Sequence, residues 1–369
     1  MKKKIKIYAQ EIEEEALSQF YSAMDQDFSI QGALMPDAHT GYTLPIGGVI
    51  ATRGMILPSW VGYDIGCGMC ALPINLKKTE IEAKADKIYR SIYLEIPTGF
   101  DHNKKSGSWN FRNIPHTDTL ARIFDKNGLK QLGSLGSGNH FIEIGEDESS
   151  TVWIIVHSGS RNLGHSIATH YMKLASKDGK AREGHFGFKT DSQAGKDYID
   201  DMNFCLEFAL ENRKQMIERI LRILNLEIPE GEKSILSKEN LINRNHNHAE
   251  LKDSLWIHRK GATHAEKGML GVVPGNMRDG SFIVEGIGNP ESLWSSAHGA
   301  GRIMGRRKAK KSLSLDEFRK TMQGIKAKVT HHTLDESPFA YKNIYKVMEN
   351  QKDLVRVLHH VKPILNIKA

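Results

Sequence analysis

The chain has 369 residues, 39% of them hydrophobic and 26% charged, with 51 Lys and Arg against 44 Asp and Glu for a formal charge of +7. That length allows one large domain or two smaller ones around a sizeable core, and the composition excludes disordered, collagen-like and disulfide-scaffold chains. The positive balance suits a polyanionic partner such as nucleic acid.

Met1 precedes three lysines, yet the alternation through Ile5, Ile7 and Tyr8 reads as a strand and not as a secretion leader. An apolar run of about 18 residues is missing throughout, so no transmembrane helix is expected. The three cysteines, Cys67, Cys70 and Cys205, cannot all pair, which points to a reducing compartment and a cytoplasmic protein. Further along, the patterns predict a strand over 48–52, a helix over 86–94 and strands over 141–144 and 152–156. A long amphipathic helix over 197–226, read as a structural brace, comes next. Strands over 270–273 and 282–285 precede a helix over 314–322, with Ser314 as N-cap and Glu317 completing a capping box. Segments 32–69, 133–164 and 261–305 are rich in Gly, Pro, His and Asn and poor in helical periodicity, so chemistry is expected there. Without a regular βαβ alternation or a dividing linker, the pattern predicts one α+β domain and not a doubly wound sheet.

Several groups of residues carry chemistry. Asp64 and Cys67 stand three residues apart among Gly62, Gly66 and Gly68. A hard oxygen beside a soft sulfur suits a borderline divalent metal such as Zn²⁺ or Mn²⁺. His140, His157 and His246 follow or lie within strand-like, Gly-rich stretches and are the candidate partners, with His39, His165, His170, His248 and His264 competing. Two ions could share the Cys67 thiolate, an arrangement suited to phosphoryl chemistry. The turn His298-Gly299-Ala300-Gly301-Arg302 offers a nucleophilic imidazole, close backbone approach and a guanidinium for phosphate. Pro274-Gly275-Asn276-Met277, followed by Ser281, could present backbone N–H groups to a nucleotide. No Walker A motif occurs. Arg302, Arg306, Arg307, Lys308, Lys310 and Lys311 form the densest basic run.

Taken together, these blocks resemble the RtcB-type RNA-splicing ligases. The likeness runs through Met35-Pro36-Asp37-Ala38-His39, Val61 to Met69, Leu135 to Glu143, His157 to Arg161, Arg259-Lys260-Gly261-Ala262, Pro274 to Met277, His298 to Arg302 and Lys368. The resemblance implies a single RtcB-like catalytic domain over 1–369, with mixed or antiparallel sheets flanked by helices. It also implies a GTP-dependent ligase joining RNA 2′,3′-cyclic-phosphate or 3′-phosphate ends to 5′-OH ends through a His–GMP intermediate. By the same resemblance Asp64, Cys67, His140, His157 and His246 would hold two Mn²⁺ ions, with Cys67 bridging and His298 the guanylylated nucleophile. Asn139, Glu143, Asn247, Pro274, Gly275, Asn276, Met277, Ser281, Gly299, Ala300, Gly301 and Lys368 would contact GTP, and Tyr341 would stack on the base. RNA phosphates are expected at Arg302, Arg306, Arg307 and Lys308, with Arg161 and Arg259 nearer the reactive ends.

The chain departs from the family pattern at Ser295-Ser296-Ala297, His264, Thr40 and Thr43. These positions leave the metal and nucleotide residues intact and favour a repair-leaning member. Two other readings compete: a metal phosphoesterase that opens cyclic phosphates without joining ends, and a non-catalytic RNA-binding homologue. Neither needs an intact His298 and Lys368.

Overall fold

Two sheets carry most of the strands of the computed structural model, which describes residues 3–176, 178–182, 184–226, 236 and 240–369. The smaller has the order Lys4–Ile7, Ser29–His39, Ile46–Thr52, Leu255–Lys260, Asn247–Lys252. Its first pair is parallel and the others antiparallel. The larger runs Leu270–Pro274, Ser281–Gly286, Val355–Lys368, Phe141–Glu146, Val152–Ser158, Gly68–Ile74, Ile242–Asn245, all antiparallel, with Lys326–Ala327 added parallel to Val355–Lys368. The architecture is α+β, as the patterning predicts.

The predicted strands all form, extended by a few residues. Strands at Ser29–His39, Gly68–Ile74 and the C-terminal half of Val355–Lys368 lack a readable alternation because both of their faces are buried. Pro36 sits where the pairing of Ser29–His39 with Ile46–Thr52 shifts register between Leu34 and His39. Its missing N–H therefore removes no ladder bond. Helices Glu14–Met24, Asp118–Gln131 and Arg161–Ala175 were not legible by periodicity. The 86–94 and 314–322 helices appear as Ala85–Glu95 and Leu315–Thr321, the latter capped by Ser314 through the Glu317 N–H.

The long helix runs Gln193–Ile223, capped by Ser192. Near its C-terminus Met216, Ile217, Ile220 and Leu221 pack against Cys70, Leu72, Ile154 and Val156 of the large sheet. Its first half joins Phe204 and Phe208 to Phe124, Leu163 and Ile167 of the neighbouring helices. The helix thus spans two apolar clusters, and its polar residues between them, Asn212 and Arg213, are fully buried. Among the described residues no helix is long and apolar enough to cross a membrane.

Candidate functional site

Four neighbouring strands of the large sheet bring one end of each to the same edge. Gly68 pairs with Ser158 on one side and with Asn245 on the other, and His157 pairs with Phe141. Cys67, His157, His140 and His246 lie at or next to those positions, so the register alone gathers residues up to 179 positions apart. The His246 N–H donates to the Cys67 carbonyl at 2.7 Å, which fixes the two segments together.

The side chains converge. Cys67 Sγ lies 3.2 Å from both His140 Nε2 and His157 Nε2. His157 Nε2 is 3.3 Å from His246 Nε2, and Asp64 Oδ2 is 3.0 Å from His140 Nε2. One sulfur between two imidazoles, with a third imidazole beyond one and a carboxylate beyond the other, is a donor set suited to a borderline divalent cation. His157 Nδ1 points at the Asn139 carbonyl at 3.2 Å, the outer contact that orients a ligating imidazole. Burial and neighbouring imidazoles hold His157 and His246 well below the usual histidine range, so both are neutral, the form that binds metal. Burial, and next the Asp64 charge, push the Cys67 thiol up. Burial also opposes ionisation of Asp64, but the His140 hydrogen bond and charge outweigh it and hold the carboxyl below its ordinary value.

Beside this cluster, His298 projects from the turn after Ser295–Ala297, a strand paired with Ala262–His264. Its ring lies 4.8 Å from that of His246. Asp37 Oδ2, fully buried, accepts from His298 Nδ1 at 2.6 Å and from the His298 backbone N–H at 3.2 Å. A carboxylate only accepts, so Nδ1 is the donor in this contact, and in the neutral ring Nε2 is then the nitrogen that carries the lone pair. Two glycines make this approach possible. Gly261 (φ +63°) would place a Cβ 3.1 Å from His298 Cε1, and a Cβ on Gly301 (φ +72°) would overlap the Asp37 carbonyl. Asp37 stands in a motif with no function of its own in the sequence reading; its only signal was its place beside His39.

The pocket over His298 is also lined by Asn139, Glu143, His157, Ser281, Tyr341 and Lys368. The Pro274–Gly301 wall is closed by the Ala300 N–H on the Pro274 carbonyl at 2.9 Å, and Asn276 caps its own turn through the N–H groups of Arg278 and Asp279. Gly275, Met277, Gly299, Ala300 and Gly301 line it too. Lys368 reaches it because its strand pairs Lys368 with Phe141, next to His140. Burial pushes the Glu143 carboxyl up to about 7, against Ser281, Asn366 and the Lys368 charge. Glu143 Oε1 and Ser281 Oγ are buried and face each other, with no other partner among the described residues.

Glu336, without a role in the sequence reading, organises the far wall. Its buried carboxylate accepts from Lys368 Nζ at 2.6 Å, Tyr341 OH at 2.6 Å, Arg306 at 2.8 Å and Arg302 at 3.3 Å. Burial opposes its ionisation, but the Lys368 and Arg306 charges prevail and lower it. Arg302 also covers one face of Tyr341 at 4.9 Å. Arg302 and Arg306 therefore line the pocket, whereas Arg307 and Lys308 are exposed on the helix Arg306–Ser312. Asn247 does not line it: its amide donates to the Asp64 carbonyl at 3.1 Å and its oxygen accepts from the Gly261 N–H at 2.8 Å, holding the metal turn to the His298 region.

Arg259 corrects an expectation. It is fully buried, bonded to Glu250 at 2.6 Å, Ser295 Oγ at 2.7 Å, His248 at 3.1 Å and the Leu293 carbonyl at 3.2 Å, so it cannot meet an RNA end. The departure at Ser295 supplies one of those acceptors. His248 belongs to this group and stacks on His264 at 4.6 Å, away from Cys67. Although His248, Glu250 and His264 hold ligand atoms within 4.8 Å of one another, the Arg259 guanidinium is already their cation.

Arg213 is a further residue that the sequence reading missed, hidden inside a helix read as a brace. It donates to the Gly66 and Ser158 carbonyls, both at 2.8 Å, to Asn243 Oδ1 at 2.7 Å and to Asn245 Oδ1 at 2.6 Å. Those acceptors flank Cys67, His157 and His246. Burial lowers its guanidinium to about 10, still charged at neutral pH. Arg213→Lys retains the charge but not the fork, and is expected to weaken divalent-metal affinity about 10- to 100-fold, as outer-shell losses do. Calorimetric titration with Mn²⁺ measures this; an affinity within twofold of the parent refutes the role.

A sulfur-centred candidate metal cluster, an imidazole held by a carboxylate and a polar pocket thus lie side by side. A sequence model of the family described as tRNA-splicing ligase RtcB matches residues 22–119 and 114–369. The chain is 34% identical over 371 residues to the RNA-splicing ligase RtcB of Escherichia coli K12, covering 91% of this chain and 90% of that protein. It is 27% identical over 428 residues to the tRNA-splicing ligase RtcB of Aeropyrum pernix, covering 92% and 87%. The chain belongs to the RtcB family.

Proposed function

We propose that the protein is a GTP- and Mn²⁺-dependent RNA ligase, with residues 1–369 as one catalytic unit in the cytoplasm. It would join RNA 2′,3′-cyclic-phosphate or 3′-phosphate ends to 5′-OH ends. The observation that carries this reading is the Asp37–His298 contact, which occupies Nδ1 and leaves Nε2 for the pocket beside the Cys67 cluster.

Asp64, Cys67, His140, His157 and His246 would hold the two ions, which when bound supply charge neutralisation at phosphate oxygens. Glu143 and Ser281 offer acceptors to the N1–H and N2–H₂ edge of guanine, and Tyr341 its ring. Lys368 faces the phosphates. His298 Nε2 attacks the α-phosphorus, forming the N–P bond as the P–O bond to pyrophosphate breaks. Asp37 holds the Nδ1 proton and balances the positive charge that develops on the ring. An RNA 3′-phosphate oxygen then takes the GMP, restoring His298. Attack by the 5′-OH of the second strand forms the phosphodiester and releases GMP. A 2′,3′-cyclic end is first opened by water to the 3′-phosphate.

The exposed Arg307 and Lys308 suit RNA phosphates, so binding is expected to weaken with salt. Incubation with α-³²P-labelled GTP and Mn²⁺ should give acid-labile label on the parent chain and none on His298→Ala. Label on both variants, or none on the parent, refutes the covalent route.

A further inference from the structure

A second, open cavity meets the candidate metal cluster from another side, lined by Asp64 and His140 where the His298 pocket is lined by His157 and His298. Arg161 lines it as well, at the start of the helix Arg161–Ala175. Its Nε donates to Ser134 Oγ at 3.0 Å and its Nη2 to the Gly99 carbonyl at 2.5 Å. Nη1 makes no hydrogen bond among the described residues, so one edge of the fork faces an incoming anion. At the mouth stands Phe100, 93% exposed, the most exposed large hydrophobic side chain among the described residues.

The backbone beneath Phe100 is not loose. The Gly99 N–H donates to the Leu135 carbonyl at 3.0 Å, the Leu135 N–H to the Pro97 carbonyl at 2.8 Å, and the Asp101 N–H to the Thr98 carbonyl at 3.1 Å. With Arg161 holding the Gly99 carbonyl, the segment is pinned on both sides of an aromatic ring that packs on nothing. Tyr63 and His165, which also line the cavity, are already stacked on each other at 5.0 Å and 22°. An anchored, solvent-facing ring next to a guanidinium and two metal-ligand candidates has the composition of a single-strand platform, where a base stacks while its phosphate is held.

We propose that this cavity receives the nucleotide flanking a reacting RNA end and that Phe100 is the ring on which its base stacks. The inference rests on the RNA-ligase reading for its ligand. Stacking on a π-face is indifferent to base identity, so the platform grips any unpaired end. The ligand is the same in chemistry whether it comes from the strand ending in 3′-phosphate or from the strand beginning with 5′-OH.

The test uses the full chain with Mn²⁺ and no GTP, and oligoribonucleotides carrying 2-aminopurine either as the last nucleotide of a 3′-phosphate strand or as the first of a 5′-OH strand. Stacking quenches the probe in one arm, and that arm identifies the strand. Phe100→Ala, folded by circular dichroism, is expected to lose the quenching and to raise the RNA Kd about 5- to 150-fold. Phe100→Tyr should retain both. Quenching and Kd in Phe100→Ala within twofold of the parent, or no quenching in either arm with the parent, overturn the platform. Joining of ends is assayed separately with GTP. Parent protein that quenches through Phe100 but joins nothing overturns the ligase reading and leaves the platform standing.

Discussion

Asp37→Ala is expected to slow transfer of GMP from GTP to His298 about 10³- to 10⁴-fold, the scale seen when a catalytic histidine loses the carboxylate that sets its tautomer. Without Oδ2, the proton can move to Nε2, and the ring loses the contact that aims it. Asp37→Asn separates the two effects. Its amide oxygen can occupy the place of Oδ2 and accept from both the ring and the backbone N–H, so the tautomer survives and only the negative charge is lost. A reduction on the order of 10- to 100-fold follows, the worth of a charge-assisted bond against a neutral one. Neither change should unfold the chain, because each leaves only one or two buried donors unpaired, at about 1–3 kcal/mol apiece. Single-turnover labelling with α-³²P-GTP gives the rates, and Asp37→Ala within tenfold of the parent would sink the orienting role.

Cys67→Ala is expected to remove tight binding of both ions and reduce labelling of His298 below detection. The sulfur lies 3.2 Å from both His140 and His157, so each ion of a pair would lose a ligand at once. His246→Ala removes a donor from the far side of His157 only, and should spare the ion held by Asp64 and His140. Counting Mn²⁺ by the EPR signal of the free ion during titration distinguishes them: about two ions for the parent, one for His246→Ala, none held tightly by Cys67→Ala. Deleting one small buried group costs roughly 1 kcal/mol, so the comparison is between folded proteins. Two ions retained by Cys67→Ala would mean that the sulfur does not bridge.

Legibility followed the physics of each element. Val152–Ser158 and Ser281–Gly286 are buried along almost their whole length and were still readable, because a short apolar, β-branched run bounded by turn residues is a local signal. Ser29–His39 was not, because it has no such run and its pairing is broken in register around Pro36. The same contrast holds at the site. Cys67, His140 and His157 announce themselves by residue type in Gly-rich turns, whereas Asp37, Glu336 and Arg213 are ordinary charged residues until burial and partners are known. Arg259 misled for that reason: the motif carries the residue, but only the fold shows its guanidinium enclosed by Glu250, Ser295 and His248.

By itself, the sequence determined the α+β class, the donor types able to hold a borderline metal, the candidate nucleophilic histidine and the family, because these depend on composition, local spacing and residue chemistry. Tertiary structure decided which histidine joins the cluster, which nitrogen of His298 is free, which arginines face outward and where a second cavity meets the metal residues. Those answers depend on strand register and on burial, which act between residues far apart in the chain and are set only when the sheets pair.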